Sequence, residues 1–393
     1  FGLTGLDTSR ANQVQVNALD DAGTVVAESS VVTLAAITTN PNAAPNEKSA
    51  IGVNMTGLAY WSTQWATIDI MKHASNGGGK LWATGNARTG AYNTGDQDLI
   101  DADENGWPKT LPAADDPNFH HVTTVLYQDN QHYPVGEYTI LYEGEGQLQY
   151  FGVTRLPEKS SPGKDVVRLD ANSFFHLRIT QTDPNNTGEY IRNVRVLVPG
   201  GICGADPMAY AATAAECGNE ADFAAFEQVY NDLSFHPLFL QDMAKYRSIR
   251  FMQAMRVNVS GQSVWSDRAT YTDASWGLEA GIPVEMAVEL ANQVQAEPWL
   301  NVPLRVDDYY MRQYAQLVKA NLDSNLSFHL ELGNEIWNNA YPYIFDAIWA
   351  REQGQARWPD AGVHDFMYRL NYFGMRSSQM CEIFKDEFGE ESD

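Results

Sequence analysis

The chain of 393 residues lacks the features of several protein classes. It has 26 lysines and arginines against 50 aspartates and glutamates, which gives a formal net charge of −24. This balance argues against nucleic acid or an anionic membrane surface as a partner, because like charges repel over a Debye length. No stretch approaches the roughly 18 consecutive apolar residues of a membrane span, so none is predicted.

Cysteine is scarce, with three residues in the chain, which excludes a disulfide-rich scaffold. Cys203 and Cys217 flank a loop rich in glycine, alanine and proline, and the sequence leaves open whether a bridge closes it. Cys381 lies in an amphipathic helical pattern and is predicted to be a buried free thiol. No zinc-ligand spacing occurs, and neither a metal nor a cofactor is predicted.

The N-terminal segment has the pattern of a β-hairpin. Phe1 stands in a strand-like stretch without Met or a signal peptide, so the N-terminus is not expected to be a natural start. Residues 12–36 alternate apolar and polar around an Asp-Asp-Ala-Gly turn. Two strands are not stable alone, and residues 1–38 resemble the last strands of a fibronectin type III-like module. Residues 39–50, rich in Asn, Pro and Ala, are predicted to be a linker.

Two different patterns follow the linker. Residues 51–117 contain a buried strand and a short helical stretch at 65–74, and are assigned to the first unit of an α/β fold with its loops. Six strand-like runs then follow within residues 118–199, separated by Gly or Pro turns. Regularly spaced strands are typical of a β-sandwich, so we predict that these residues form a sandwich inserted in the α/β fold.

From residue 200 onwards, predicted strands alternate with predicted helices. The alternating segments are 248–258, 283–296, 298–304, 307–323 and 328–337. Such alternation predicts a parallel sheet, and we assign a (β/α)₈ TIM-type barrel with strands two to four in residues 200–393. About 60 residues follow Glu335, whereas four further units need on the order of 100 or more, so the barrel is expected to be truncated after about strand four.

The fourth strand has two faces of different chemistry. One face is apolar and consists of Phe328, Leu330 and Leu332. The other face is largely polar and consists of His329, Glu331, Gly333 and Glu335. We expect the apolar face to pack on helices and the polar face to line the barrel, with Glu335 at the C-terminal mouth where such enzymes hold their catalytic groups. Glu331 lies roughly 13 Å deeper at about 3.3 Å per residue. We predict that it forms a buried pair with Arg250 of strand two.

The segment LELGNEIWN resembles the Asn-Glu motif that ends strand four in the clan A retaining glycoside hydrolases. The resemblance implies that Glu335 is the general acid/base and that Asn334 hydrogen-bonds the sugar 2-hydroxyl. Leaving-group protonation needs a carboxyl that is neutral near working pH, which partial burial favours. More widely, residues 51–345 resemble secreted bacterial proteins with barrels of this kind. The family's nucleophile, a Glu that ends strand seven, has no matching position.

Both motif residues have a simpler interpretation. Glu335 is then a surface carboxylate after an apolar strand, and Asn334 is an ordinary turn residue at a strand end. Flat aromatic faces bind sugar C–H surfaces and polar neighbours bind hydroxyls. On these grounds the substrate-binding candidates are Trp265, Trp276, Trp337, Arg256 and Asn258. For each tryptophan, packing between loops is the alternative. Residues 101–106 (DADENG) open like a calcium loop, but Pro112 excludes an EF-hand and leaves a looser calcium site or an Asx turn.

These inferences predict a secreted retaining glycoside hydrolase that acts on an extracellular polysaccharide or oligosaccharide. Without the nucleophile, the fragment alone is expected to be inactive. A non-catalytic carbohydrate-binding or adhesion protein with a degenerate barrel is the alternative from a different class. A transglycosylase that uses the same site is a third.

Overall fold

The structure, a computed structural model, describes residues 50–128 and 132–389, and before residue 50 the backbone of four short strands. Both helices and strands occur, which confirms the α/β class in its broad form. The strands are β1 (Asn12–Val14), β2 (Asn17–Leu19), β3 (Val25–Glu28), β4 (Val32–Leu34), β5 (Gly52–Asn54), β6 (Ala83–Gly85), β7 (His121–Tyr127), β8 (Gly136–Glu143), β9 (Gly146–Phe151), β10 (Thr154–Arg155), β11 (Lys164–Leu169), β12 (Phe175–Thr182), β13 (Arg192–Leu197), β14 (Gly201–Cys203), β15 (Tyr210–Ala211), β16 (Phe223–Ala225), β17 (Ser248–Arg250), β18 (Glu297–Val302) and β19 (His329–Leu332).

The α-helices contribute mainly to the second half of the chain. They are α1 (Phe226–Val229), α2 (Pro237–Met243), α3 (Val284–Val294), α4 (Asp308–Asn321), α5 (Ile344–Arg357) and α6 (Asp365–Phe388). Within the described residues, none of these helices combines the length and the apolar composition that crossing a membrane requires.

The hairpin predicted near the N-terminus is confirmed at the level of the backbone. Strand β1 pairs with β4, and β2 pairs with β3, both antiparallel. The fibronectin type III-like assignment stays a prediction, and nearly all of the predicted linker, residues 39–49, lies outside the described residues.

Two four-stranded antiparallel sheets form the central part of the chain, with strand orders β10-β11-β8-β13 and β6-β7-β12-β9. They share one apolar core, in which the rings of Tyr138 and Phe175, from opposite sheets, lie 5.9 Å apart. All six strand-like runs predicted in residues 118–199 are strands. The arrangement also extends before residue 118, because β6 joins the second sheet.

The helix predicted at residues 65–74 is wrong in extent. Only a 3₁₀ turn forms, at Ile70–His73. All four residues are buried, and Ile70 and Met71 belong to the core of the two antiparallel sheets. The turn is held by Asp69, whose Oδ1 accepts hydrogen bonds from the backbone N–H groups of Met71 at 3.0 Å and Val196 at 2.8 Å. The segment is therefore fixed by a strand of the inserted unit rather than by helical hydrogen bonds.

Four parallel strands form a separate sheet in the order β5-β17-β18-β19, so that strands consecutive in the predicted series are neighbours. Helix α2, which follows the antiparallel sheets, precedes β17, and α3 and α4 connect the later strands. Strand β17 is shorter than predicted. The chain leaves the strand after Arg250, and Arg256 and Val259 beyond it adopt left-handed backbone conformations that extended chain does not allow.

The helices cover one face of the parallel sheet. Ile249, Leu300 and Leu332 point into a core with residues of α2, α3, α4 and α6. As predicted, α3 starts next to Pro283, and α4 starts directly after Asp307, whose side chain caps the helix by accepting a hydrogen bond from the N–H of Tyr310 at 2.7 Å. The apolar face of the sheet is therefore the one that the sequence assigned to the helices.

The structure decides both questions about cysteine. Cys203 and Cys217 form a disulfide. Cys381 is exposed, so the prediction of a buried thiol is wrong. Helix α6 turns Met380, Ile383 and Phe384 into the core, and Cys381 falls outside this apolar stripe.

Candidate functional site

The second face of the parallel sheet carries polar side chains. The pairing register places Arg250, Trp299 and His329 in one row across β17, β18 and β19. Asn301 and Glu331 form the next row, closer to the C-terminal strand ends. Trp299 is 39 % exposed although it lies in the middle of a strand. This face is thus accessible rather than covered by a second layer of helices within the described residues.

Arg250 and Glu331 form the pair that the sequence predicts. Nε of Arg250 donates to Oε2 of Glu331 at 3.0 Å, and the terminal nitrogen donates to Oε1 and Oε2 at 2.8 and 2.7 Å. The side chains are 23 % and 25 % exposed, so the pair is half-buried rather than buried. The guanidinium also lies over the Trp299 ring, 5.2 Å from its centre.

Asn334 continues this network towards the strand ends. It is 5 % exposed, its Oδ1 accepts a hydrogen bond from Arg250 at 3.0 Å, and its Nδ2 donates to Oδ1 of Asn258 at 3.0 Å. The amide is therefore held in one orientation, with a second N–H on Nδ2. Of the predicted substrate-binding residues, Asn258 is the one that the structure joins directly to the Asn-Glu motif.

Sequence reasoning missed Asn301. Its side chain is fully buried, and its Nδ2 donates to Glu331 at 2.9 Å while its Oδ1 has no hydrogen-bond partner. The alternation of β18 contains the necessary signal, since Trp299 and Asn301 share the parity that faces Glu331. The network from Asn301 to Asn258 thus connects the ends of β17, β18 and β19.

Glu335 lies beyond the end of β19, and its direction is set by a turn. The strand ends at Leu332, so the alternation used for the prediction does not reach Glu335. Gly333 and Glu335 both have left-handed backbone, with φ of 59° and 50°. The partly exposed carboxylate accepts a hydrogen bond from Nδ2 of Asn338 at 2.7 Å. Left-handed backbone at a residue with a side chain costs roughly 1 kcal/mol or more, and such positions cluster at functional sites.

An ion pair with a buried carboxylate joins the segments that follow three of the parallel strands. Asp346 of α5 has a side chain that is only 3 % exposed, and it accepts hydrogen bonds from Arg305 at 3.2 and 2.9 Å. Its second oxygen accepts from the N–H of Val259 at 2.7 Å. These contacts link the segments that follow β17, β18 and β19, the last of which contains Glu335.

The three candidate tryptophans differ in accessibility. Trp276 is 2 % exposed, donates from Nε1 to the carbonyl of Thr270 at 2.9 Å, and has Lys72 Nζ 4.7 Å from its ring centre. It packs between loops and offers no ring face to a sugar. Trp265 is partly buried between Tyr310 and Arg268. Trp337 is 59 % exposed and lies two residues after Glu335.

Arg256 has a structural role that the sequence did not predict. Its guanidinium donates to the carbonyl oxygens of Leu58 at 3.2 Å and Gly277 at 3.1 Å. Burial lowers its pKa. Arg256 therefore joins the loops after β5 and β17 and is not directed at the Asn-Glu motif.

The calcium-like segment is an Asx turn in this structure. Oδ1 of Asp103 accepts from the N–H groups of Asn105 and Trp107, both at 2.9 Å, and its Oδ2 accepts from the hydroxyl of Tyr190 at 2.9 Å. Asp101 pairs with Lys109 at 2.7 Å. Across residues 50–128 and 132–389, no group of three His, Cys, Asp or Glu side chains has a metal-binding arrangement.

Comparison with known proteins gives no assignment. No protein-family model matches the chain. Neither the curated proteins nor the solved structures contain a significant match.

Proposed function

We propose that the chain contributes the first four strands of a (β/α)₈ barrel in a retaining glycoside hydrolase, with Glu335 as the general acid/base. Two features of the parallel sheet support the barrel. The strands follow one another without the reversal of order typical of doubly wound sheets. The face away from the helices carries Arg250, Asn301 and Glu331, whereas open parallel sheets usually have two apolar, helix-covered faces.

The observation that carries the proposed chemistry is the placement of the Asn-Glu pair directly after β19. Asn334 is held by Arg250 and Asn258, which leaves one Nδ2–H for a sugar hydroxyl. Glu335 stands next to it, partly exposed, and accepts a hydrogen bond from Asn338. In a retaining mechanism Glu335 protonates the glycosidic oxygen and later deprotonates water, while a second carboxylate about 5 Å away attacks the sugar.

An extracellular location is part of the proposal. The disulfide between Cys203 and Cys217 supports it, because such bonds persist in oxidising compartments. The acidic composition is compatible with a polysaccharide substrate and unfavourable for nucleic acid.

The test compares wild-type full-length protein with Glu335→Gln and Glu335→Ala on a panel of polysaccharides and aryl glycosides. For unactivated substrates we expect kcat/KM to fall by about 10² to 10⁴, the usual contribution of general acid catalysis. Dinitrophenyl glycosides have a leaving group that needs little protonation, so the variants should still form the glycosyl-enzyme rapidly with these substrates. Azide should restore turnover of Glu335→Ala and yield a glycosyl azide of retained configuration.

The matched control is Glu382→Gln, an exposed glutamate on α6. It should leave all rates unchanged. Equal activity of wild type and Glu335→Gln on unactivated substrates would remove Glu335 from the mechanism.

Exposed aromatic rings next to Glu335 favour a second candidate, a non-catalytic glycan-binding protein. Trp337 is 59 % exposed and Tyr341 is 81 % exposed, and both follow β19 closely. This function predicts glycan binding that Trp337→Ala weakens and Glu335→Gln does not, with no turnover in the full-length protein. Calorimetric titration with the same glycan panel, beside the rate measurements, separates the two functions.

A further inference from the structure

A cavity of about 190 Å³ lies between α5 and α6, next to the segment that follows Glu335. Its polar lining includes Asn339, Arg351, His364 and Arg369, and its apolar lining includes Ile344 and Phe366. Two arginines line one small space.

Both arginines have hydrogen-bond donors that the protein does not use. Arg369 is only 5 % exposed, donates to Oδ1 of Asn339 at 2.9 Å, and lies over the Phe366 ring at 4.6 Å. Its Nε is buried and has no hydrogen-bond partner, and the same is true of Nε of Arg351. The nearest carboxylates to Arg351 are Asp365 at 3.8 Å and Glu352 at 3.9 Å, both beyond hydrogen-bond distance.

The electrostatics of the cavity agree with this geometry. Burial lowers the pKa of Arg369, and the positive charge of Arg351 lowers it further. Two guanidinium groups close enough to repel each other, with one of them buried, are stabilised when an anion binds between them. Asp365, which accepts a hydrogen bond from Gln355 at 3.0 Å, is the one acidic residue in the lining.

We propose that this cavity, the α5–α6 pocket, binds the carboxylate or sulfate group of an acidic sugar residue. Arginine provides the planar, bidentate recognition that such oxyanions require. The apolar side chains of Ile344 and Phe366 suit the C–H face of a sugar ring.

The location relates the pocket to the site at the strand ends. Asn339, which accepts the hydrogen bond from Arg369, directly follows Asn338, which donates to the carboxylate of Glu335. The pocket and Glu335 are thus connected through two adjacent asparagines, so that a polysaccharide bound along this segment would contact both. This extension to an anionic polysaccharide as substrate class rests on the proposed function, whereas binding of the acidic sugar does not.

The test is calorimetric titration of wild type with four probes at the same ionic strength. The probes are a hexuronate oligosaccharide, a sulfated oligosaccharide, a neutral oligosaccharide of equal length, and inorganic sulfate. We expect at least one charged oligosaccharide to bind about tenfold or more tightly than the neutral one and than inorganic sulfate. An ionic strength near 0.15 M is needed, because screening then limits repulsion by the remaining acidic surface.

Arg351→Gln is the main variant, since Arg351 is partly exposed and its loss leaves the helix intact. It should weaken binding of the charged oligosaccharide about tenfold or more. Arg351→Lys keeps the positive charge but lacks the bidentate guanidinium group, so it should weaken binding less. Arg357→Gln, an exposed arginine on the same helix and outside the pocket lining, removes the same charge and should have no effect. Near-UV circular dichroism confirms that each variant is folded.

Three results would overturn the proposal: equal binding of neutral and charged oligosaccharides, equal affinity of Arg351→Gln and wild type, or inorganic sulfate binding as tightly as every charged sugar. The proposed hydrolase function is tested independently of the pocket. If charged sugars bind through Arg351 but Glu335→Gln leaves hydrolysis unchanged, the pocket stands and the mechanism does not. If a neutral polysaccharide is hydrolysed through Glu335 and charged sugars do not bind, the opposite holds.

Discussion

The two halves of the molecule handle buried polar groups differently. In the antiparallel sheets and the segments packed on them, buried polar side chains form small local groups. His73 bonds to the side chains of Thr67 and Tyr133, and His236, which is also fully buried, contacts the ring of Trp65. In the parallel sheet, by contrast, the polar side chains on one face form a single network from Asn301 through Arg250 to Asn258. Small local groups of this kind serve packing, whereas a connected set directed at the strand ends can orient a ligand.

This difference extends to the effect of pH. Burial lowers the pKa of His73 and of His236 to about 4. Under the helices of the parallel sheet, burial raises the pKa of Glu289 in α3 to about 7. The antiparallel half should therefore lose stability on acidification, and the parallel half should lose stability as the pH rises towards neutrality.

The largest effect is expected from acidification. A histidine with a folded pKa near 4 and an unfolded pKa near 6.5 binds fewer protons when folded, so its contribution is present above pH 6.5 and is lost as the pH falls towards 4. The loss is about 3 kcal/mol for each of the two histidines. Denaturant unfolding of wild type and His236→Asn between pH 7 and pH 4 measures it, and the variant should show a pH dependence smaller by about 3 kcal/mol.

His364→Asn is the matched control. Both histidines precede a helix and accept a hydrogen bond at Nδ1 from a backbone N–H at 3.2 Å, and asparagine retains this capping. They differ in burial, since His364 is exposed. If the two variants changed the pH dependence equally, burial of His236 would not be its cause.

The opposite dependence of stability on pH is expected from Glu289. Its carboxylate accepts hydrogen bonds from Tyr271, Ser234 and Gln293, and only 3 % of the residue is exposed. A folded pKa near 7 against about 4.5 when unfolded means that the folded state binds more protons. Stability is then full below pH 4.5, and about 3 kcal/mol is lost as the pH rises to 7.

Glu289→Gln removes the titrating group while keeping its size. The variant should therefore lack this decline in unfolding free energy between pH 4.5 and pH 7. Glu382→Gln, exposed on α6, should retain it. If Glu289→Gln kept the wild-type decline in unfolding free energy, Glu289 would not be the group that causes it.

The network on the parallel sheet predicts a smaller effect. A double-mutant cycle of Arg250→Met and Glu331→Gln should give an interaction energy of about 1.5 kcal/mol, because the bidentate pair is half-buried. The same cycle for Arg247 and Glu297, which pair at 3.2 Å with Arg247 54 % exposed, should give about 0.5 kcal/mol or less. Equal values would mean that the network is no more cooperative than a surface ion pair.

The fold was predictable where the pattern is local. Alternation identified the strands of the antiparallel sheets, and the assumption of a parallel sheet was enough to predict the pairing of Arg250 with Glu331. The motif residue Glu335 was identified from its sequence neighbours. Its backbone conformation was not, because alternation ends with the strand and a left-handed turn takes over.

Interactions between distant segments were not predictable. Trp276 appears in the sequence as one of several loop tryptophans, and its burial depends on Lys72, some 200 residues earlier in the chain. Arg256 similarly meets the carbonyl of Leu58. The α5–α6 pocket requires the approach of two helices whose arginines are 18 positions apart, a spacing with no short-range signature.

The smallest effect on stability is expected at the most accessible candidate, Trp337. Because the ring is 59 % exposed, Trp337→Ala should change the unfolding free energy by about 0.5 kcal/mol or less. Glycan affinity should nevertheless fall about tenfold if the ring stacks on a sugar. Tyr309→Ala, equally exposed at 60 % but on helix α4, controls for loss of a surface aromatic. A large stability loss with unchanged binding would show that Trp337 is part of the packing, as Trp276 is, and would place the glycan contacts of the parallel half elsewhere at the strand ends.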